Sequence, residues 1–333
     1  MSIVVRKHNK STAVLSKDIK TEDLMLADLS YSYSNDELYK DWERLKRVKD
    51  FKSGSQFKPG MKICQHFFDN FFDIKAHNGK CFRSVQNKFD TMDKIRTWGL
   101  EKMSALYVSW IRRAVYMASG MHNPTYYRPH LAKQIILSTG KKEGILFDPC
   151  AGWGGRMLGT VAAGWQYIGC EPNKETYNNL LRVVEFLGIQ SQVTLYNLPF
   201  EDLKMDELEN VDIILTSPPY FNLERYSDEE NQSYNKFLSF ENWKADWYIP
   251  MIEKCIKKLN TNGLSCWNVM DFKGNDMVNS MFIVHEKNNM IIDERLGIDS
   301  PFINYKKKIN NRDLTYIFAF TGIAKETEEQ LTT

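Results

Sequence analysis

Three short stretches, each ending an apolar run, carry residue types that can do chemistry. The first is Asp148-Pro149-Cys150-Ala151-Gly152-Trp153-Gly154-Gly155-Arg156, directly after Gly144-Ile145-Leu146-Phe147. Three glycines within four positions let backbone approach a ligand closely, and a helix starting there aims its free N–H groups at it. No Gly-Lys-Ser/Thr follows, which excludes a phosphate-binding P-loop. A dinucleotide loop stays open, although Asp-Pro ahead of the glycines is foreign to that fingerprint. A tight strand-to-helix turn without ligand is the structural alternative. The second stretch places Glu171 after Tyr167-Ile168-Gly169-Cys170. A carboxylate at that point suits a pair of ribose hydroxyls, and alone it would equally serve as a helix-capping acid. The third is Thr216-Ser217-Pro218-Pro219-Tyr220-Phe221, ending Val211–Thr216. Its two prolines remove donors and stiffen the chain, leaving carbonyls to accept, with the Ser217 hydroxyl and the Tyr220 ring beside them. A purely structural Pro-Pro loop would need neither the hydroxyl nor the aromatic.

The elements that must position these residues are legible from periodicity. Apolar strands are expected at 144–147, 167–170, 193–196, 211–216, 264–270, 290–297 and 314–320, with helices at 175–187 and 245–259 between them. Strands alternating with helices predict a mainly parallel sheet covered on both faces, with ligands at the carboxyl ends of its strands. Before residue 120 the texture is helical. Leu38, Trp42 and Leu45 predict a surface helix over 36–50, and Phe67, Phe68, Phe71 and Phe72 recur at spacings of four. Leu100, Met103, Leu106, Tyr107, Trp110 and Ile111 predict one helix over 100–119. Residues 1–35 read as a polar arm.

Asp148–Arg156, Glu171 and Ser217-Pro218-Pro219-Tyr220 together resemble the motifs of S-adenosylmethionine-dependent DNA amino methyltransferases (N4-cytosine or N6-adenine type). Upstream, Asn123–Ala132 is similar to the family's loop and helix that pack on the methionine end of the cofactor. The resemblance covers about residues 120–320 and is absent from 1–119. It implies a Rossmann-like methyltransferase fold, here with a seven-stranded sheet and a mostly helical N-terminal region. It also implies S-adenosyl-L-methionine as cofactor, held by Tyr127, Arg128, Pro129, Asp148, Pro149, Ala151, Gly152, Gly154 and Glu171, with Asn197 and Glu201 near the adenine. Ser217, Pro218, Pro219 and Tyr220 are then catalytic. Acceptors at Ser217 and the Pro218 carbonyl favour the pyramidal form of a base amine, and Tyr220 stacks on the flipped base. A cytosine-C5 mechanism would need a thiol on the catalytic loop, and no cysteine lies there. Serine at the first catalytic position leans toward N4-cytosine. An RNA amine as target, or a non-catalytic nucleic-acid-binding subunit, are the alternatives.

Of 333 residues, 43% are hydrophobic and 26% charged, which excludes disordered and low-complexity classes. Six scattered cysteines with no CxxC pair argue against a zinc ribbon or disulfide scaffold, and six histidines form no ligand pattern, so no metal is expected. No secretory or membrane-spanning segment is read, and a cytoplasmic protein is expected. The net charge of +2 conceals an asymmetry: residues 1–140 carry 24 Lys and Arg against 14 Asp and Glu. A basic N-terminal part fits a polyanion such as DNA, or simply solvates helices. Residues 1–119 are therefore assigned to DNA contact, specificity or oligomerisation, 120–325 to the methyltransferase domain, and 326–333 to a polar tail. Arg112, Arg113, Phe221, Lys306, Lys307 and Arg312 are the nucleic-acid contact candidates. Asn222–Trp247, acidic and aromatic, reads as a lid, a target-contacting loop or a packed insertion. A homodimer or a partner subunit, including a restriction enzyme, stays open.

Overall fold

The computed structural model describes residues 14–15, 17–49, 58–76, 78–103, 105–119, 124–292 and 316–322. The first half is helical, with β1 (Val14–Leu15), α1 (Thr21–Met25), α2 (Asn35–Lys46), α3 (Met61–Phe67), β2 (Lys75–Ala76), α4 (Phe82–Gln86), α5 (Phe89–Lys102), β3 (Leu106–Tyr107) and α6 (Val108–Ser119). After α7 (Pro129–Ser138), strands and helices alternate: β4 (Ile145–Asp148), α8 (Gly155–Ala162), β5 (Gln166–Cys170), α9 (Lys174–Leu187), β6 (Val193–Tyr196) and β7 (Val211–Thr216). Then come β8 (Glu224–Arg225), α10 (Ser233–Lys236), α11 (Phe240–Trp243), α12 (Ile249–Lys257), β9 (Leu259–Val269), α13 (Val278–Lys287), β10 (Met290–Ile292) and β11 (Tyr316–Gly322).

Seven strands form one sheet in the order β10-β11-β9-β7-β4-β5-β6. β11 runs antiparallel to both neighbours, and every other pairing is parallel. The α/β class and the mainly parallel seven-stranded sheet expected from the sequence are thus observed. From β4 the chain winds outward through β5 and β6, then returns to build β7 and β9 on the other side. The topological switch, where such sheets open a crevice, lies between β4 and β7.

Side chains alternate across this sheet with the period of two that strands impose. Leu146, Tyr167, Ile213 and Leu215 join the core that also holds Leu38, Phe72, Met92 and Ile111 from the N-terminal helices. Phe147, Ile168, Ile214 and Trp267 point to the other face, into a core with Trp243, Tyr248 and Met251. The N-terminal helices therefore share a continuous apolar core with one face of the sheet.

Three local outcomes differ from expectation. The helix read over 100–119 is two helices, because Leu106–Tyr107 is extended and pairs with Val14–Leu15. The helix read over 245–259 begins as α11, passes through a π-helical turn at Lys244–Tyr248, and resumes as α12 with Pro250 in its first turn. The surface helix read over 36–50 starts with a full capping box between Ser34 and Glu37 and ends at Lys46. Among the described residues no helix is long and apolar enough to cross a membrane.

Candidate active site

Above the switch point lies a cavity of about 610 Å³, within the roughly 300–1,000 Å³ usual for small-ligand sites. The glycine stretch, Glu171 and the Ser217–Tyr220 stretch all contribute to its wall. Neighbouring strands are spaced ~4.8 Å apart, so the ends of β5 and β7, two strands apart, are separated by roughly 10 Å with the β4 glycine loop between them.

The glycine loop is braced from beneath by Asp148, which is fully buried and lies outside the cavity lining. Its Oδ2 pairs with Arg156 Nε at 2.6 Å and accepts Tyr167 Oη–H at 2.9 Å. Its Oδ1 accepts the Cys150 N–H at 3.2 Å and Thr216 Oγ1–H at 2.9 Å. Four bonds consume this carboxylate, so Asp148, expected among the cofactor contacts, instead ties the loop to strands β5 and β7. Burial works against the Arg156 charge, yet Asp148 outweighs it and the guanidinium pKa ends raised. Burial and the same carboxylate hold the Cys150 thiol well above its ordinary range.

Loop conformation explains two of the glycines. Gly152 and Gly154 sit at φ +55° and +71°, where residues with a Cβ are strained. A Cβ on Gly152 would meet nothing closer than the Cys150 oxygen at 3.8 Å, so the loop is open there. Gly155 has another reason: its Cβ would lie 2.1 Å from the Tyr127 carbonyl oxygen, so the loop before α7 sits flush against α8. Tyr127, Arg128, Pro149, Ala151 and Gly152 line the cavity, whereas Pro129, as the first residue of α7, and Gly154, as the N-cap of α8, do not.

Glu171 is 8% exposed. Its Oε2 accepts the Gly152 N–H and its Oε1 the Asn173 N–H, both at 2.9 Å. Burial pushes its pKa up to about 7, with Asp148 and Glu229 adding, against the pull of those two N–H groups. Asn197 does not line the cavity, and its Nδ2 donates to the Glu171 and Pro172 carbonyls. Glu201 does line it, with Oε2 accepting Trp247 Nε1–H at 2.7 Å and Oε1 paired with Lys236.

At the β7 end, Ser217, Pro219 and Tyr220 face the cavity, while the Pro218 side chain is buried outside its lining. Ser217 Oγ donates to the Asn268 carbonyl at 3.3 Å and accepts from Asn268 Nδ2 at 3.2 Å. Tyr220 Oη donates to the same carbonyl at 3.5 Å, and its ring meets Phe272 edge-on. Asn268 was not singled out by sequence, because an asparagine inside an apolar strand carries no motif. Only the β7–β9 register, Thr216 opposite Trp267, brings it beside Ser217.

The segment after Ser217–Tyr220 closes the cavity. β8 pairs with β2, Asn231 Nδ2 donates to the Pro172 carbonyl at 2.8 Å, and Glu229 accepts from Asn173 and Lys174. Tyr226 stands over the glycine loop against Trp153 and bonds Glu224 at 2.5 Å. Asn222–Trp247 is thus a packed insertion that walls the cavity.

Two expected nucleic-acid contacts are corrected. Arg112 is buried, donates to the Leu29 and Ser30 carbonyls, and stacks 4.0 Å over the Tyr31 ring, so it cannot reach phosphate. Phe221, at φ +46°, is buried against Phe240 and Trp243. Arg113 is exposed on α6. Lys306, Lys307 and Arg312 lie outside the described residues.

No curated protein sequence matches the chain. Among solved structures, a methyltransferase from Pyrococcus furiosus is 14% identical with a TM-score of 0.40, over 63% of this chain and 94% of that one. An S-adenosylmethionine-dependent O-methyltransferase from Thermotoga maritima is 13% identical with a TM-score of 0.40, over 63% and 71%. An rRNA methylase from Streptococcus thermophilus is 15% identical with a TM-score of 0.38, over 60% and 97%. The family model described as DNA methylase matches residues 211–330, a range that takes in Ser217–Tyr220 and Asn268 and leaves the glycine loop and Glu171 outside it. That match bears out the family reading of the sequence, the DNA amino methyltransferases.

Proposed function

We propose that this protein transfers a methyl group from S-adenosyl-L-methionine to an exocyclic amine of a DNA base, with N4 of cytosine favoured over N6 of adenine. The observation that carries this reading is one cavity walled by Gly152, Glu171, Ser217 and Tyr220. Its residues suit the cofactor: an open glycine for close backbone approach, and a carboxylate with lone pairs left for two ribose hydroxyls. S-adenosylmethionine, when bound, supplies an electrophilic methyl on a sulfonium sulfur. Gly152 and Ala151 contribute backbone to its methionine end, Glu171 holds the ribose, and Tyr127 and Arg128 line the cavity beside the glycine loop.

Tyr220 offers its face to a base lifted out of the helix, where the amine becomes reachable. Ser217 Oγ and the Pro218 carbonyl accept from the two amine hydrogens, which frees the nitrogen lone pair from the ring for in-line attack. This is catalysis by positioning and fixed polarity, and the proton released from the amine leaves to solvent.

The test incubates purified protein with labelled S-adenosylmethionine and unmodified DNA, then RNA, followed by nucleoside mass spectrometry. N4-methylcytosine or N6-methyladenine in DNA is the expected product, lost in Ser217→Ala and Tyr220→Ala with cofactor binding retained. Full activity in both variants would overturn the assigned roles, and product on RNA alone would move the substrate class.

A further inference from the structure

Ser217 carries one hydroxyl hydrogen and two lone pairs, so by itself it meets a donor or an acceptor equally well. Its surroundings remove that freedom. The hydrogen goes to the Asn268 carbonyl at 3.3 Å, and one lone pair takes the Asn268 Nδ2–H at 3.2 Å. The same carbonyl receives Tyr220 Oη–H at 3.5 Å on its second lone pair, so both catalytic side chains are fixed by one residue of the neighbouring strand. What Ser217 has left is a single lone pair, and Ser217 and Asn268 both face the cavity.

We infer that Asn268 is a positioning residue that sets the polarity of Ser217, making it an obligate acceptor and the site selective for an amine-bearing base over its keto counterpart. The inference rests on the reading of the cavity as a base-amine site and deepens it. An amine N–H meets the remaining lone pair. A keto oxygen in the same place faces a lone pair with no hydrogen available, because rotating the hydroxyl toward it breaks the bond to the Asn268 main-chain carbonyl. Leaving a buried polar group opposed in this way corresponds to a preference of at least roughly tenfold. That carbonyl belongs to the main chain and makes a long bond, so the side chain contributes by holding the Ser217 oxygen, through Nδ2–H, in the orientation that makes it.

Equilibrium binding tests this without turnover. Protein saturated with S-adenosylhomocysteine is titrated by NMR with deoxycytidine against deoxyuridine, and deoxyadenosine against deoxyinosine. Wild type should prefer the amine member of the favoured pair by about tenfold or more. Asn268→Leu should bring the two members to within about threefold while melting temperature and S-adenosylhomocysteine affinity stay near wild type. Asn268→Asp places an acceptor for the Ser217 hydrogen at the same position and should keep the preference. In the Ser217→Ala background, Asn268→Leu should change nothing further, as expected of residues acting through one atom. Binding without amine preference in wild type, or a preference unchanged in Asn268→Leu, overturns the inference and leaves the cavity reading standing. Binding of no nucleoside overturns the base-amine reading itself, and the inference with it.

Discussion

Glu171 offers the sharpest test of the cavity, because its state changes within the working pH range. The carboxyl is buried and its pKa is pushed up to about 7, yet as a ribose acceptor it must be ionised. With that pKa, the ionised fraction is about one tenth at pH 6 and about nine tenths at pH 8, so the dissociation constant should fall roughly ninefold across the interval. Binding should also release about half a proton at pH 7, countable by calorimetry in two buffers of different ionisation enthalpy. The linkage to folding has the opposite sense. A carboxyl whose folded pKa is raised favours the folded state more as pH falls from about 7 toward its unfolded value, and ligand binding opposes that proton. Glu171→Gln removes the charge and the titration together. An amide cannot accept from both Gly152 and Asn173, so one N–H is left facing a donor, a cost in stability that is present with and without ligand. The two bonds to the ribose become neutral, a loss of about 2 kcal/mol, or roughly 30-fold weaker binding at pH 8. The variant's affinity should lose the component that wild type shows between pH 6 and 8, which separates Glu171 from titrating groups on the ligand. A wild-type dissociation constant flat over that range, with the variant within twofold of it, would refute the reasoning.

Other substitutions separate bracing from binding. Asp148→Asn strands the buried Arg156 guanidinium and should cost about 3–5 kcal/mol in urea unfolding, as broken buried ion pairs do. Gly155→Ala should prevent correct folding or cost several kcal/mol, since its Cβ meets backbone. Gly152→Ala, strained but unobstructed, should lose only about 1–2 kcal/mol of stability while weakening S-adenosylhomocysteine binding. Arg112→Met should lower the melting temperature and leave the salt dependence of DNA binding unchanged, because that guanidinium serves two backbone carbonyls. Arg113→Gln, on the exposed side of the same helix, should leave stability within about 0.5 kcal/mol of wild type.

Sequence reading succeeded where a short-range pattern and an unusual residue coincide. The strand before Asp148 is an apolar run and the glycines break it sharply, so both the element and its end were visible. It failed where distant chain decides the outcome. Leu106 and Tyr107 fit a helical stripe, but pairing with Val14–Leu15 holds them extended, and no local periodicity registers a two-residue partner ninety positions away. Arg112 sits on a basic stretch that composition ties to phosphate, yet its side of α6 faces inward. Asp148 was legible as important, the resemblance set it against the cofactor, and four internal bonds that only the fold reveals brace the loop through it. Asn268 had no signal at all, because its role depends on strand register.

The shared apolar core between the N-terminal helices and the sheet bears on how such a protein can change over generations or in the laboratory. Phe72, Met92 and Ile111 are buried with Leu146 and Ile213, and β2 donates the partner strand for the wall of the cavity. A new N-terminal half cannot be grafted on as a cassette. It would have to bring a matching apolar face and an edge for β8, so sequence drift in the helices and in the sheet half must proceed in step.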